Sequence, residues 1–311
     1  MSVMNYKGGV GKTTLTANIA AETASHGHRV LMIDLDPQAN LTLSFYTGAE
    51  WQDDLRENLT IKSWFDADLP GQKISLPELV LTPPRVNEHL ADSGGRLDLI
   101  ASHLGLIDID LQLGAILNSH HDFDSSTRRY LQVHDCLAEA LRAPAFREYD
   151  LIMIDCPPNF GLVTKTAIVA SDHVLVPAKP DYLSTLGIAY MVSSLQKLVN
   201  NFNKHATHQS DAGNHRRSIS PQIAGVVFTM TQHQIGQPVT AQRNQMEQVR
   251  AQNLARVLDT SVRNGPTFFA DAGESGVPAV LRGSPSNPST VELKALTEEF
   301  IASLAEKGQS R

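Results

Sequence analysis

Residues 7–14 read Lys7-Gly8-Gly9-Val10-Gly11-Lys12-Thr13-Thr14. That order of residue types suits the holding of a chain of phosphates. Glycines let backbone N–H groups turn inward and approach phosphate oxygens with no Cβ in the way. The octet follows a short apolar run and precedes a helical pattern marked by Leu15 and Ile19. In such a strand–loop–helix setting the helix N-terminus adds a positive dipole end. Lys12 is then placed to neutralise β- and γ-phosphates, and the Thr13 hydroxyl to ligate Mg²⁺. The strict Walker A pattern needs Gly where Tyr6 stands, so the loop is not of the ordinary form.

Two further stretches carry acids at the ends of apolar runs. The first, VLMIDLDPQANLT (30–42), ends in Asp34 and Asp36. The second, LIMIDCPPNFG (151–161), ends in Asp155. An acid at a strand's carboxyl edge points toward the crevice of an open α/β sheet. Asp155 reads as a Walker B acid that would hold Mg²⁺ through a water, giving Thr13, Asp36 and Asp155 as the metal-facing set. Pro157, Pro158 and Gly161 would form a segment that feels loss of a γ-phosphate. One of the first pair of acids, Asp34 more readily than Asp36, could instead cap a helix begun by Pro37. Cys156 reads as a packed small residue.

These groups need a scaffold that brings three strand ends together. Candidate buried strands are Ser2–Tyr6, Arg29–Ile33, Leu97–Ile100, Leu151–Ile154, His173–Val176 and Gln222–Thr229. The runs VLMI, LIMI, VLV and IAGVVF are apolar without alternation, as strands buried on both faces of a parallel sheet are. Helical stretches fall near 12–26, 128–142, 161–170, 184–201, 240–258 and 289–306. The alternation predicts an α/β fold with a doubly wound, mostly parallel sheet and helices on both faces. We expect one domain over 1–311, with insertions at about 48–95 and 203–221. The second insertion, NKHATHQSDAGNHRRSISP, reads as a solvated loop; its histidines and Asp211 have no regular ligand spacing.

Bulk properties narrow the class. Apolar residues make up 41% of 311, enough for a sizeable core. No apolar run approaches the roughly 18 residues that span a bilayer. Two cysteines, Cys136 and Cys156, argue against a disulfide framework and fit a reducing compartment. The net charge of −7 is uneven: residues 1–200 carry 15 basic and 24 acidic groups, residues 201–311 carry 11 and 9. The C-terminal third can therefore present a local basic face.

KGGVGKTT resembles the deviant Walker A motif of the ParA/MinD superfamily, and the chain as a whole is similar to its ParA/Soj-like members. DLDPQ (34–38) resembles their first switch. VLVPAKPDYLSTLGI (174–188), GVVFTM (225–230) and LRGSPSNPSTVELKALTEEF (281–300) resemble their later segments, and 261–279 is a diverged version of the stretch that lines the base. The resemblance implies a P-loop ATPase that binds ATP, ADP and Mg²⁺. It implies a homodimer sandwiching two nucleotides, in which Lys7 reaches the partner's phosphates as an arginine finger does. Catalysis then falls to Lys7, Lys12 and Asp36, Asp36 acting on the attacking water, with Asp34 supporting the Mg²⁺ shell. Nucleotide contacts fall to Gly8, Gly9, Val10, Gly11, Lys12, Thr13, Thr14, Asp155, Pro157 and Met230.

The resemblance also implies DNA or cargo positioning by a cytoplasmic, nucleoid-associated protein, with release stimulated by a ParB-like or other adaptor. Relatives that ride the nucleoid bind DNA non-specifically through basic residues; candidates are Arg243, Arg250, Arg256, Arg263 and Arg282, with Arg216 and Arg217 nearby. Glu247 between Arg243 and Arg250 leaves a salt-bridged solvated face as the other reading. The chain departs from the pattern in three places. Its first strand begins almost at Met1, no helix-turn-helix precedes it, and FADAGESGVPA lacks a lysine often found there. MinD-like relatives use a basic amphipathic tail, whereas LTEEFIASLAEKGQSR is acidic and expected to pack on its own domain, so no stable membrane association is expected. Two alternatives stay open, a MinD-like membrane-associated positioning ATPase and a nucleotide-dependent scaffold without DNA binding.

Overall fold

Strand β2 (Arg29–Asp34) shows how the sheet is buried. Its Leu31 and Ile33 enter one apolar cluster with Ile100, Ile154 and Val226. Val30 and Met32 enter the other, with Leu15, Ile19 and Phe300. A strand covered on both sides has no polar face, so its sequence is an unbroken apolar run. The computed structural model describes residues 1–66, 74–118, 123–211, 217–270 and 272–308.

Seven strands form the main sheet: β1 (Ser2–Val3), β2, β3 (Arg96–Ile100), β4 (Leu151–Asp155), β5 (His173–Ala178), β6 (Gln222–Thr231) and β9 (Val262–Arg263). Their order is β3-β2-β4-β1-β5-β6-β9, and every pairing is parallel. A separate antiparallel pair, β7 (His233–Gln234) and β8 (Gln237–Pro238), turns back beyond β6. The register sets Asp34 opposite Asp155, and Asp155 opposite Val3. Two acids and the origin of the glycine loop thus share one level at the carboxyl edge.

Helix α1 (Lys12–Ser25) lies on one face with α12 (Ala279–Arg282) and α13 (Pro288–Gly308). The other face carries α5 (Leu106–Leu117), α6 (Phe123–Ala140), α7 (Leu162–Val169) and α8 (Tyr182–Asp211). Between β2 and β3 run the short helices α2 (Gly48–Glu50), α3 (Ile61–Asp66) and α4 (Pro84–His89). This stretch, expected as an insertion, is packed against the sheet edge. Trp51, Leu55, Leu76, Leu79 and Val86 are buried, and Trp51 Nε1 donates to the Ser102 carbonyl at 3.1 Å.

Two expectations are corrected, and two elements were not expected. Residues 203–211 are helical, not loop: α8 continues because Phe202 and Ala206 are buried beside Leu131 and Val169; residues 212–216, including Arg216, lie outside the described residues. Helix α9 (Thr240–Gln252) stops before 258 because Asn253 takes the left-handed conformation, φ 49°, which asparagine tolerates as a helix stop. The chain then runs through α10 (Pro266–Phe269) and α11 (Ala272–Ser275). Helix α5 was not anticipated; Leu106, Ile109 and Leu113 bury one helical face although LIDID alternates like a strand. Strand β9 was too short to show in the pattern.

Candidate nucleotide site

The glycine loop leaves β1 and closes into α1 with two glycines in the left-handed region, Gly9 (φ 66°) and Gly11 (φ 78°). Gly11 is the N-cap of α1 and no side chain caps the helix, which leaves its first amides to an anion. A Cβ at Gly8 or Gly9 would meet nothing within 4 Å, so the loop borders open space of the kind a phosphate fills. Two contacts tie the loop down. Lys7 N–H donates to Asn5 Oδ1 at 2.9 Å. Thr229 Oγ1, from β6, donates to the Val10 carbonyl at 2.8 Å.

A cavity of about 470 Å³ opens over this loop. Gly8, Gly9, Gly11, Lys12, Thr13 and Thr14 line it, with Asp36 and Met230. Val10 is fully buried behind the loop and its carbonyl accepts from Thr229. The proline in the wall is Pro158. Pro157, chosen from the sequence, is buried beneath it and its carbonyl accepts from Asn159 N at 2.8 Å, so Pro158 takes its place in the cavity wall. Asn18, Phe269 and Pro278 also line the cavity. Asn18 Nδ2 donates to the Thr14 carbonyl at 2.7 Å, and its Oδ1 accepts from Val280 N at 2.8 Å. One side chain thereby links loop, helix and the C-terminal segment. Its helical position, facing α12, left no mark in the sequence pattern.

The charged residues are enclosed. Lys12 is 6% exposed, and burial pulls its pKa down, opposed by Asp155 and Asp36. Asp155 accepts from Thr13 Oγ1 at 2.7 Å on Oδ2, while its buried Oδ1 has no hydrogen-bond partner. Burial, then the nearby Asp34, drives the Asp155 carboxyl well above the usual carboxylate range. A buried lone pair without a donor, beside a hydroxyl and other carboxylates, fits a hard divalent cation. Asp34 is pushed up to about 7 by burial, although Thr42 N, Thr42 Oγ1 and Asp36 N all donate to it. Both its oxygens are occupied, so Asp34 anchors the loop that carries Asp36. Asp36 lines the cavity and accepts from Gln38 N at 3.0 Å; no helix starts at Pro37 for either acid to cap.

Lys7 lies to the side. Its ammonium meets Asp181 Oδ2 of its own chain at 2.7 Å, where Asp181 Oδ1 accepts from Ser184 N in the first turn of α8. The arginines named for DNA divide. Arg243 and Arg282 are exposed, each bound to uncharged groups of its own surroundings, and Arg256 is exposed. Arg250 pairs with Glu247 at 3.1 Å and approaches Asp259 at 3.7 Å. Arg263 is committed to Glu292, whose two oxygens take its guanidinium and its backbone N–H. These two are corrected as open basic groups, because neighbouring carboxylates neutralise them.

Comparison with known proteins places this geometry. An AAA domain family model matches residues 1–207. A chromosome partitioning protein ParA from Caulobacter vibrioides is 28% identical over 233 residues, covering 74% of this chain and 68% of that protein. A putative replication protein A from Rhizobium rhizogenes is 31% identical over 200 residues, 64% of this chain and 44% of its own length. The chain spans less than two thirds of several curated relatives. Among solved structures, apo McdA from Cyanothece superposes with a TM-score of 0.70 at 19% identity, covering 97% of this chain and 98% of that one. A cobyrinic acid a,c-diamide synthase from Mycobacterium smegmatis, solved with ADP and magnesium, gives 0.67 at 20% identity, covering 100% and 95%. At such identities the structural likeness speaks for the fold.

Proposed function

The chain belongs to the AAA domain family, among the ParA/MinD-type P-loop ATPases, and from that premise we propose that it is an ATP-dependent dimerising switch that hydrolyses ATP slowly and positions DNA or other cargo. The observation that carries the proposal is the convergence of Lys12, Thr13, Asp36 and Asp155 on an open glycine loop at one sheet edge.

In this reading the loop amides and Lys12 hold the phosphates. Thr13 and Asp155 hold Mg²⁺, which neutralises charge on the phosphate oxygens. Asp36 holds the attacking water and takes its proton. Pro158 and Asn159, directly after Asp155, feel the γ-phosphate leave. Lys7 exchanges Asp181 for the partner subunit's nucleotide, so ATP becomes part of the dimer interface. The dimer binds DNA non-specifically through Arg243, Arg256 and Arg282, an adaptor stimulates hydrolysis, and the ADP form lets go. The protein then works in the cytoplasm, on the nucleoid. The ion pairs of Arg250 and Arg263 favour one second reading, a nucleotide-dependent scaffold that does not bind DNA.

Sedimentation with ATP or ADP, with and without duplex DNA, tests the proposal. Wild type should dimerise with ATP alone, Lys12→Ala should stay monomeric, and Asp36→Ala should form a lasting ATP dimer without turnover. A wild-type monomer in saturating ATP sinks the switch. An ATP dimer that ignores DNA leaves the scaffold.

A further inference from the structure

A second cavity, of about 340 Å³, lies where α6, α7 and α8 meet, away from the phosphate loop. Its apolar walls include Phe160 and Tyr190, and Tyr190 is 64% exposed. Two ammonium groups border it, Lys165 of α7 and Lys197 of α8. Among the described residues, no carboxylate lines the cavity and none forms an ion pair with either lysine. Lys165 Nζ instead lies 5.8 Å from the centroid of the Phe160 ring. A doubly basic hollow with aromatic walls stands out on a chain of net charge −7.

The cavity also adjoins the nucleotide machinery. Phe160 sits between the Asp155 strand end and α7. Tyr6, the residue before Lys7, packs against Phe160 at 5.7 Å and Tyr190 at 5.1 Å between ring centroids. Three aromatic rings therefore join the phosphate loop, the segment after Asp155 and the cavity wall. Tyr6 stands where the strict phosphate-loop pattern has glycine, and this contact gives its ring an occupation.

We propose that this hollow is the docking site for an acidic segment of a partner protein, with one large apolar side chain between Phe160 and Tyr190 and flanking carboxylates on Lys165 and Lys197. The volume suits one such side chain with its neighbours. The unpaired lysines choose the sign of the charge, as complementary potentials do across interfaces. Occupancy reaches the nucleotide through Tyr6. This rests on the partner-stimulated cycle proposed above only for its consequence; binding itself requires no ATP.

Saturation-transfer NMR on the full chain, using the blocked tripeptides acetyl-Glu-Phe-Glu-amide and acetyl-Lys-Phe-Lys-amide, tests it. The acidic peptide should bind and the basic one should not. Lys165→Glu with Lys197→Glu should weaken the acidic peptide about tenfold, the sum of two exposed charge reversals, while Lys165→Arg with Lys197→Arg should retain it. Saturating acidic peptide should change the affinity for a fluorescent ADP analogue, and Tyr190→Ala should remove that change. Equal binding of both peptides, preference for the basic one, or indifference to the charge reversal overturns the proposal. So does displacement of the peptide by inorganic phosphate, or lysine-dependent binding to phosphatidylglycerol vesicles in place of peptide. Because the assay needs no dimer, failure of ATP-dependent dimerisation and failure of this site give separate results.

Discussion

At the scale of single residues, the site stores unfavourable charge until a ligand arrives. Asp34 and Asp155 face each other across β2 and β4, both buried. Burial raises the Asp34 pKa to about 7. A carboxyl whose folded pKa is raised stabilises the fold at pH below its unfolded value and loses that contribution as pH rises through the folded value. Nucleotide-free protein should therefore lose urea resistance as pH climbs from the ordinary carboxylate range to about 7, and Asp34→Asn should flatten that decline. An unchanged slope would put the charge elsewhere. Asp155 leaves Oδ1 for a cation, so Asp155→Asn should remove the Mg²⁺ dependence of ATP affinity, measured with a fluorescent analogue in Mg²⁺ and in EDTA, while the melting temperature without ligand holds or rises. Lys12, Thr13, Asp36 and Asp155 were legible because their spacing follows backbone geometry. Asn18 and Thr229 were not, since their partners Val280 and Val10 lie far off in sequence. The choice of Pro157 over Pro158 turned on which ring faces the cavity, which adjacent prolines do not reveal.

At the scale of elements, β2 to β6 were read nearly to their ends because burial on both faces writes itself as uninterrupted Val, Ile and Leu, whereas β1 stops at Val3 and not at Tyr6. Helices were harder where their register depended on distant partners: α5 hides in an alternating run, and α8 outlasts the polar residues at its end. The phosphate loop is itself held by another element, through the Thr229 bond. Thr229→Val keeps the shape and removes the donor to a buried carbonyl. It should cost about 1–3 kcal/mol in stability and weaken ATP binding by destabilising the loop; a variant with wild-type melting and ATP affinity would show the contact to be idle. The α6–α8 joint has its own titration. His134 is 2% exposed, donates from Nδ1 to the Tyr130 carbonyl at 2.8 Å, and stacks on Tyr130, which stacks on His205 of α8. Burial lowers the His134 pKa to about 4, with Lys165 of α7 and His205 adding to the depression. The unfolded chain takes the proton first, so stability is complete above the ordinary histidine range and falls with acid toward pH 4. On the order of 3 kcal/mol hangs on that window, and His134→Phe should remove most of the loss seen in urea titrations between pH 7 and 5.

At the scale of the whole molecule, the doubly wound sheet was legible from alternation alone, and it delivers three strand ends to one edge. What sequence could not supply was the state of surface charges. Six arginines against two acids in residues 214–264 looked like a basic face, but Glu292 reaches Arg263 from α13, across a separation that composition cannot register. The remaining arginines make a smaller footprint. If the ATP dimer contacts about six phosphates through two copies of Arg243, Arg256 and Arg282, the logarithm of its DNA affinity should fall against the logarithm of salt with a slope near −5. Removing Arg243 alone should reduce that slope by about 2 per dimer; salt-indifferent binding would exclude the surface.

The pair between Lys7 and Asp181 gives ionic strength a second lever. Both side chains are partly open to solvent, 36% and 41% exposed, so dissolved ions weaken their attraction more than they weaken an enclosed contact with phosphate. If the chain pairs on ATP and binds DNA as proposed, added salt should ease the lysine away from its own chain and favour pairing of subunits, while loosening their grip on nucleic acid. Titrating potassium chloride against ATP should pull the two behaviours in opposite directions, yielding subunit pairs that float free of DNA at concentrations where each would otherwise be bound.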